Sequence, residues 1–296
     1  MTDISMTDIS MTGSQVTGLG GSPDVGAGAM VPVEGVGGRL FARDWWPSAS
    51  TGSPDPAVAA RPAIVLFHDS LGCVELWRDF PARLAQATGR RVLAYDRPGF
   101  GRSDPHSGRI EPDFVALEAE RALPPLLAHF GVREFVACGH SIGGGIAVEA
   151  AARWPATCRA LVTIAAQAFV EPRTIEAIRR EGRSFDDPAV LARLARYHGE
   201  KARWVVDAWT GTWLSPGFAG WTLNRALAGV RCPVLALHGD RDEYGSTGHA
   251  TRIAAEAASE GRGRVEILPD TGHIPHRERP GLLVERIASF LAVPAL

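Results

Sequence analysis

Three segments of the chain carry residues that could act together on a carbonyl. Ser141 lies in VACGHSIGGGIAVEA, Val136 to Ala150, between Gly139 and Gly143. PVLALHGDRDEYG follows an apolar run with the carboxylates Asp240, Asp242 and Glu243, and VEILPDTGHIPHRERP follows the last apolar run with Gly272 and His273. A serine hydroxyl is a weak nucleophile until a base takes its proton, and the base works best when an acid orients it. Serine, acid and histidine together therefore describe acyl transfer, whereas the serine alone is equally at home in a Gly-rich turn.

The elements around these residues must deliver them to one place. EFVAC ahead of Ser141 reads as a strand and IGGGIAVEAAARW behind it as a helix, so the serine occupies the junction. Such a sharp turn needs small neighbours because the nucleophile itself takes a strained backbone conformation. The runs AIVLFH, RVLAYD, EFVACG, ALVTIAA, PVLALHG and RVEILPD alternate with helical patterns such as WRDFPARLAQAT and FVALEAERALPPLLAHF. Continuous apolar strands alternating with helices predict an α/β fold with a mostly parallel twisted sheet covered on both faces. Ligands of such sheets gather at the carboxyl ends of the strands, where all three segments fall. Ahead of this alternation, VPVEGVGGRLFARDWW reads as two strands around a Gly-rich hairpin, and PSASTGSPDPAVAARP as a surface loop. Between Ala165 and Cys232 the alternation lapses into helical patterns with four tryptophans, which predicts a lid inserted over the sheet. Trp204, Trp209 and Trp213 share one helical stripe there, and Trp213 is the first candidate for a wall of an apolar substrate pocket.

Bulk properties narrow the partner. The 296 residues include 31 basic and 33 acidic side chains and no dense Lys/Arg cluster, so nucleic acid and anionic membrane are not expected partners and a small molecule is. Cys73, Cys138, Cys158 and Cys232 are scattered without metal-ligand spacing and read as buried thiols. No His/Asp pair has the spacing of a metal ligand set, and neither a metal nor an organic cofactor is expected. Residues 1–30, which repeat MTDIS and are otherwise rich in Gly, Ser and Thr, read as a disordered tail. They show neither the basic start nor the apolar core of a secretory signal, and no segment is long and apolar enough for a membrane span, so the expected location is cytoplasmic by default.

Four segments together resemble the α/β-hydrolase superfamily from about Val31 to the end of the chain. FHDSLG is similar to its oxyanion loop, YDRPGFGRSD to its loop after the next strand, GHSIGG to its nucleophile elbow, and GDRDEYG with GHIPHRERP to its acid and base turns. The resemblance implies a core over 31–166 and 231–296, with a helical cap over 167–230 inserted after the sixth strand. It implies Ser141 as nucleophile, Asp242 as acid with Asp240 as the alternative, and His273 as base. It also implies the backbone N–H groups of Ser70 and Ile142 as oxyanion donors. His140, beside the nucleophile, is a candidate to line the pocket, with packing beside the strand as the alternative; His68, His276 and Glu278 read as structural. One departure stands out: the family usually writes His-Gly where this chain has His68-Asp69, and a carboxylate pointing into the hole would oppose an oxyanion. The implied activity is hydrolysis of a small, largely apolar carboxylic ester. Thioesters, lactones, ring-fission carbon–carbon bonds and peroxide interception of the acyl-serine are alternatives within the same chemistry, and a non-hydrolytic binding protein is the alternative outside it.

Overall fold

The apolar runs pair into a single nine-stranded sheet in the computed structural model, which describes residues 24–26, 28–34, 38–48, 56–106, 108–257 and 263–292. β1 (Asp24–Val25) and β2 (Ala29–Val33) share the outer edge of β3 (Gly38–Trp46), and both run antiparallel to it. The remaining strands are β4 (Ala63–Phe67), β5 (Val92–Tyr95), β6 (Phe135–His140), β7 (Cys158–Ile164), β8 (Val234–Gly239) and β9 (Gly263–Leu268). They are parallel in the order β5-β4-β6-β7-β8-β9, and β3 closes onto β5 antiparallel.

Every residue of β4, β5, β6 and β8 is buried, the pattern expected when helices cover both faces of a parallel sheet. Alternate side chains divide between two cores: Val65, Phe67, Phe135 and Ala137 pack on one side, Ile64, Leu66, Val136 and Cys138 on the other. After the single turn α1 (Pro56–Ala59) come α2 (Phe80–Thr88), α3 (Phe114–His129) and α4 (Ile142–Arg153). The inserted helices are α5 (Pro172–Ser184), α6 (Pro188–His198), α7 (Ala202–Trp213) and α8 (Asn224–Leu227), and the chain ends through α9 (Gly248–Glu256), α10 (Pro275–Glu278) and α11 (Pro280–Leu291). Leu84 of α2 and Ile287 of α11 belong to the second core, and Leu123 of α3, Ile146 of α4 and Ile253 of α9 to the first.

Because β5 lies on one side of β4 and β6 on the other, the chain direction across the sheet reverses at β4 and β6. That reversal opens a crevice at the carboxyl ends of these two strands. The residues His68 to Ser70 leave β4 there, and Ser141 leaves β6 there.

α5 to α8 are inserted between β7 and β8, and the two ends of the insertion meet: Phe169 bridges Thr222, and the Leu223 N–H donates to the Ala168 carbonyl at 2.9 Å. Within it, Asp187 caps α6 by accepting the Ala189 N–H at 2.8 Å, with Pro188 as first helical residue.

Two sequence expectations are corrected. The proposed tail over residues 1–30 overlaps two strands: Asp24 and Val25 pair with Trp46 and Trp45, and β2 begins at Ala29 opposite Ala42. The backbone of β3 offers an open ladder that these short stretches fill, which composition alone does not reveal. Residues 1–23 and 27 lie outside the described residues. Counting β1, the insertion follows the seventh strand and not the sixth.

Candidate active site

The backbone at Ser141 adopts φ 55° and ψ −127°, a region that a side-chain-bearing residue occupies at a cost of about 1–3 kcal/mol. The surroundings enforce it. A Cβ on Gly139 would stand 2.0 Å from the Gly143 carbonyl oxygen, and one on Gly143 would stand 2.1 Å from the Phe67 oxygen and 2.5 Å from that of His68. Only glycine permits this approach of helix α4 to the end of β4. The Ser141 N–H donates to the Ile164 carbonyl at 2.9 Å, which ties the turn to β7.

The three separated segments converge on this turn. The Ser141 hydroxyl donates to His273 Nε2 at 3.0 Å, and His273 Nδ1 donates to Asp242, 2.9 Å from Oδ1 and 2.8 Å from Oδ2. All three side chains are buried, with residual exposures of 4% for Ser141, 2% for Asp242 and 1% for His273. Asp242 Oδ1 also accepts the N–H groups of Tyr244 at 2.8 Å and Gly245 at 3.1 Å, and Oδ2 lies 3.0 Å from His238 Nε2. Burial alone would raise the Asp242 pKa, but the charge and hydrogen bonds of His273 and His238 hold it far below the usual carboxylate range. For His273 burial favours the neutral ring, yet the Asp242 charge and hydrogen bond outweigh it and raise the pKa above the ordinary value. Asp240, the alternative acid, instead accepts the Thr271 N–H at 3.2 Å and shares no hydrogen bond with His273.

The loop bearing His273 is held by Glu278, whose carboxylate accepts the N–H groups of Gly272 at 2.6 Å and Ile274 at 2.9 Å. The ring of Tyr244 sits 4.7 Å from that of His273, and Trp209 of α7 sits 6.5 Å from Tyr244.

Opposite this loop, the chain leaving β4 is braced from beneath. His68 donates through Nδ1 to the Asp69 carbonyl at 2.8 Å and accepts the Arg97 N–H at Nε2 at 3.0 Å. Leu71 N–H is accepted by Asp69 Oδ1 at 2.9 Å, so the carboxylate caps its own turn. Among the described residues, the Ser70 and Ile142 N–H groups meet no protein acceptor, and Ile142 is the first residue of α4, with no preceding helical turn to bond. Both residues are buried.

His140, a candidate pocket residue, is fully buried. Its Nδ1 lies 3.2 Å from Asp69 Oδ2 and its Nε2 donates to the His273 carbonyl at 2.7 Å, so it offers neither nitrogen to a ligand. The packing alternative is the one realised, because both loops beside it present acceptors. Trp213 packs edge-on against Phe218 at 5.1 Å and Trp221 at 6.1 Å inside the insertion. It is Trp221 that reaches the elbow helix, 3.5 Å from where a Cβ on Gly145 would stand.

Three site residues escaped the sequence reading: Gln167, His238 and Tyr244. Gln167, just past β7, places Oε1 3.2 Å from the Ser141 hydroxyl and is 2% exposed. A hydroxyl has one proton, so Gln167 and His273 compete for it, and a half-turn of the amide would present an N–H donor instead. Its signal was a polar residue within AAQAF at a strand's carboxyl end. His238 precedes Gly239 in LALHG and resembled one more strand residue.

A cavity of about 770 Å³ away from these residues is lined by Trp46, Arg61, Arg91 and Phe130 at the amino ends of β4 and β5, the wrong edge for Ser141. Among the described residues no group of three His, Cys, Asp or Glu side chains is placed to hold a metal, and no helix is long and apolar enough to cross a membrane.

Comparison with known proteins gives matches over most of the chain. The model of the alpha/beta hydrolase family matches residues 64–286. The chain is 28% identical to the sn-1-specific diacylglycerol lipase of Mus musculus, over 79% of this chain and 82% of that one. It is 26% identical to the monoacylglycerol lipase of Mycolicibacterium smegmatis, over 75% of this chain and 83% of that one. A carboxylesterase structure from Nitrososphaera gargenis superposes with a TM-score of 0.69 at 18% identity, covering 90% of this chain and 98% of that one, a likeness of fold.

Proposed function

The chain belongs to the alpha/beta hydrolase family, and on that premise we propose that it cleaves a small, largely apolar carboxylic ester through an acyl-serine intermediate. The observation that carries the reading is the unbroken line from the Ser141 hydroxyl to His273 Nε2 at 3.0 Å and from His273 Nδ1 to Asp242 at 2.8 Å, at the crevice of the sheet. Ser141 attacks the ester carbonyl while His273 accepts its proton. Asp242 keeps the imidazole in the tautomer that leaves Nε2 free to accept, and its charge stabilises the imidazolium that forms. The carbonyl oxygen gains negative charge in the N–H groups of Ser70 and Ile142, which are already desolvated and need no reorganisation. His273 then protonates the leaving alcohol and activates water to release the acid.

The substrate class is supported by the setting. Trp209, Trp213 and Trp221 concentrate ring surface in the segment over 167–230, which we assign as a cap on the core of residues 31–166 and 231–296. Two relatives are lipases of diacylglycerol and monoacylglycerol by name, both esters with apolar acyl groups. Gln167 stands where it would meet the scissile ester's oxygen or the group beside it. The test is a series of p-nitrophenyl esters of rising acyl length, with fluorophosphonate labelling and mass spectrometry. Turnover and labelling at Ser141 are expected in wild type and are lost, by several orders of magnitude in rate, in Ser141→Ala and His273→Ala. Near-normal turnover in either variant refutes the assignment, and a folded wild type that neither labels nor hydrolyses refutes the ester reading.

A further inference from the structure

Asp69 stands where the family usually has glycine, and its carboxylate does not face the two free N–H donors. Oδ1 accepts the Leu71 N–H at 2.9 Å and Oδ2 lies 3.2 Å from His140 Nδ1. On the far side of the same ring, His140 Nε2 lies 2.7 Å from the carbonyl oxygen of His273. A carboxylate and a carbonyl are both acceptors, and a neutral imidazole has one N–H. With Asp69 ionised, both contacts are bonds only if the ring carries two.

We propose that Asp69 and His140 form a buried ion pair whose two hydrogen bonds make a strut between the oxyanion loop, the elbow and the base loop, so that both are positioning residues for catalysis. The strut joins the three elements that must stay in register. Asp69 is bonded to Ser70, His140 to Ser141, and the acceptor is the backbone of His273 itself. The rest of the surroundings are consistent with a cation there. Trp77 meets the ring edge-on at 6.3 Å, and His276 lies 4.7 Å away between centroids. Burial and the neighbouring charges of His140 and Arg277 hold His276 well below the ordinary histidine range, leaving it neutral beside the pair. Burial would raise the Asp69 pKa, but the His140 bond and charge, with the charge of Arg277, keep it well below the carboxylate range. The pair also resolves the departure from the family pattern: the added negative charge is matched one residue from the hole.

This inference rests on the acyl-serine reading for its kinetic half alone. Nitrogen-15 NMR of the full chain at pH 7 reads the His140 ring directly, with His140→Gln used for assignment. Two protonated ring nitrogens are expected in wild type; one overturns the ion pair whatever the enzyme's activity. In Asp69→Gly, checked for an unchanged fold by circular dichroism, kcat on the best p-nitrophenyl ester is expected to fall about tenfold to hundredfold, the scale of a misplaced reacting group, with KM within about twofold. Asp69→Asn keeps a cap for Leu71 and can donate to a neutral ring, and is expected to recover most of that loss. An unchanged kcat in Asp69→Gly, or a rise in KM alone, overturns the positioning role. An Asn variant as slow as the Gly variant overturns it also, because the strut's hydrogen bonds would then not be what holds the base loop in place. If wild type hydrolyses no ester, the acyl-serine reading fails while the NMR result still decides the pair.

Discussion

His198, at the end of α6, pins the inserted helices to the loops beside the site, and protonating it should release the pin. Its Nδ1 accepts the Gly101 N–H at 2.9 Å and its Nε2 donates to the Leu71 carbonyl at 3.0 Å, which fixes one neutral tautomer. A proton on Nδ1 would face the Gly101 N–H, and the charge would be buried at 1% exposure. Burial accordingly pushes the pKa down from its ordinary 6.5 to about 4, the Leu71 bond opposing and the Lys201 charge adding to the shift. Between these two values the unfolded chain binds a proton that the folded chain refuses. The contribution of a depressed histidine is therefore fully present above pH 6.5 and is lost as pH falls toward 4. At about 1.4 kcal/mol per unit, the window is worth on the order of 3 kcal/mol. Urea denaturation of wild type and His198→Gln at steps from pH 7 to pH 4 measures it. Other groups titrate in both proteins, among them His249, which is also lowered to about 4, and cancel in the difference. The stability gap between the two proteins should change in favour of the variant by about 3 kcal/mol across the series. A gap that stays constant refutes the claim that His198 is held neutral.

Other outcomes follow from the site. Gly143→Ala forces a methyl group against the backbone oxygens of Phe67 and His68, and should cost at least about 1–3 kcal/mol in thermal or urea denaturation together with most of the labelling at Ser141. Because His273 is raised above its ordinary value by Asp242, kcat/KM should climb with pH through a limb above about 6.5 as the free base forms; Asp242→Asn should move that limb down as well as lowering the rate. His238→Phe removes one of several partners of Asp242, so its kcat should drop about tenfold or less, far short of the loss in Asp242→Ala.

Much of this architecture was legible because it rests on short-range rules. β4 and β6 are buried on both faces and so are apolar up to the His140 that ends β6, and Ser141 needs glycines at 139 and 143 for reasons of contact that leave a mark in the letters. The acid turn was legible down to a choice of carboxylates. What separated Asp242 from Asp240 was direction, since one faces His273 and the other the Thr271 backbone, two residues apart on a tight turn. Gln167 and Tyr244 were not legible as site residues, because the neighbours that matter come from elsewhere in the chain and no local spacing encodes a meeting of β7 with β6; His238 lies only four residues from Asp242, but nothing in an apolar strand's last turn marks its ring as that carboxylate's partner. His140 looked accessible for the same reason: its two acceptors come from loops far off in sequence. The strands at Asp24 and Ala29 were masked by the composition around them.

The insertion between β7 and β8 is closed at a neck where Ala168 bonds Leu223 and Phe169 bridges Thr222. For the rest of the molecule, its intervening length is only a loop whose ends are already closed. Doubling such a loop costs about 0.6 kcal/mol in closure entropy, little beside the energy of a folded domain. The neck thus works as a socket, but a grafted segment would also have to supply the contacts that Thr174 and Trp209 make to Tyr244 beside Asp242 and His273. Among the attachments that a graft would have to replace is the one His198 makes to Leu71 and Gly101, and His198 is the residue whose burial as a neutral ring costs stability in acid.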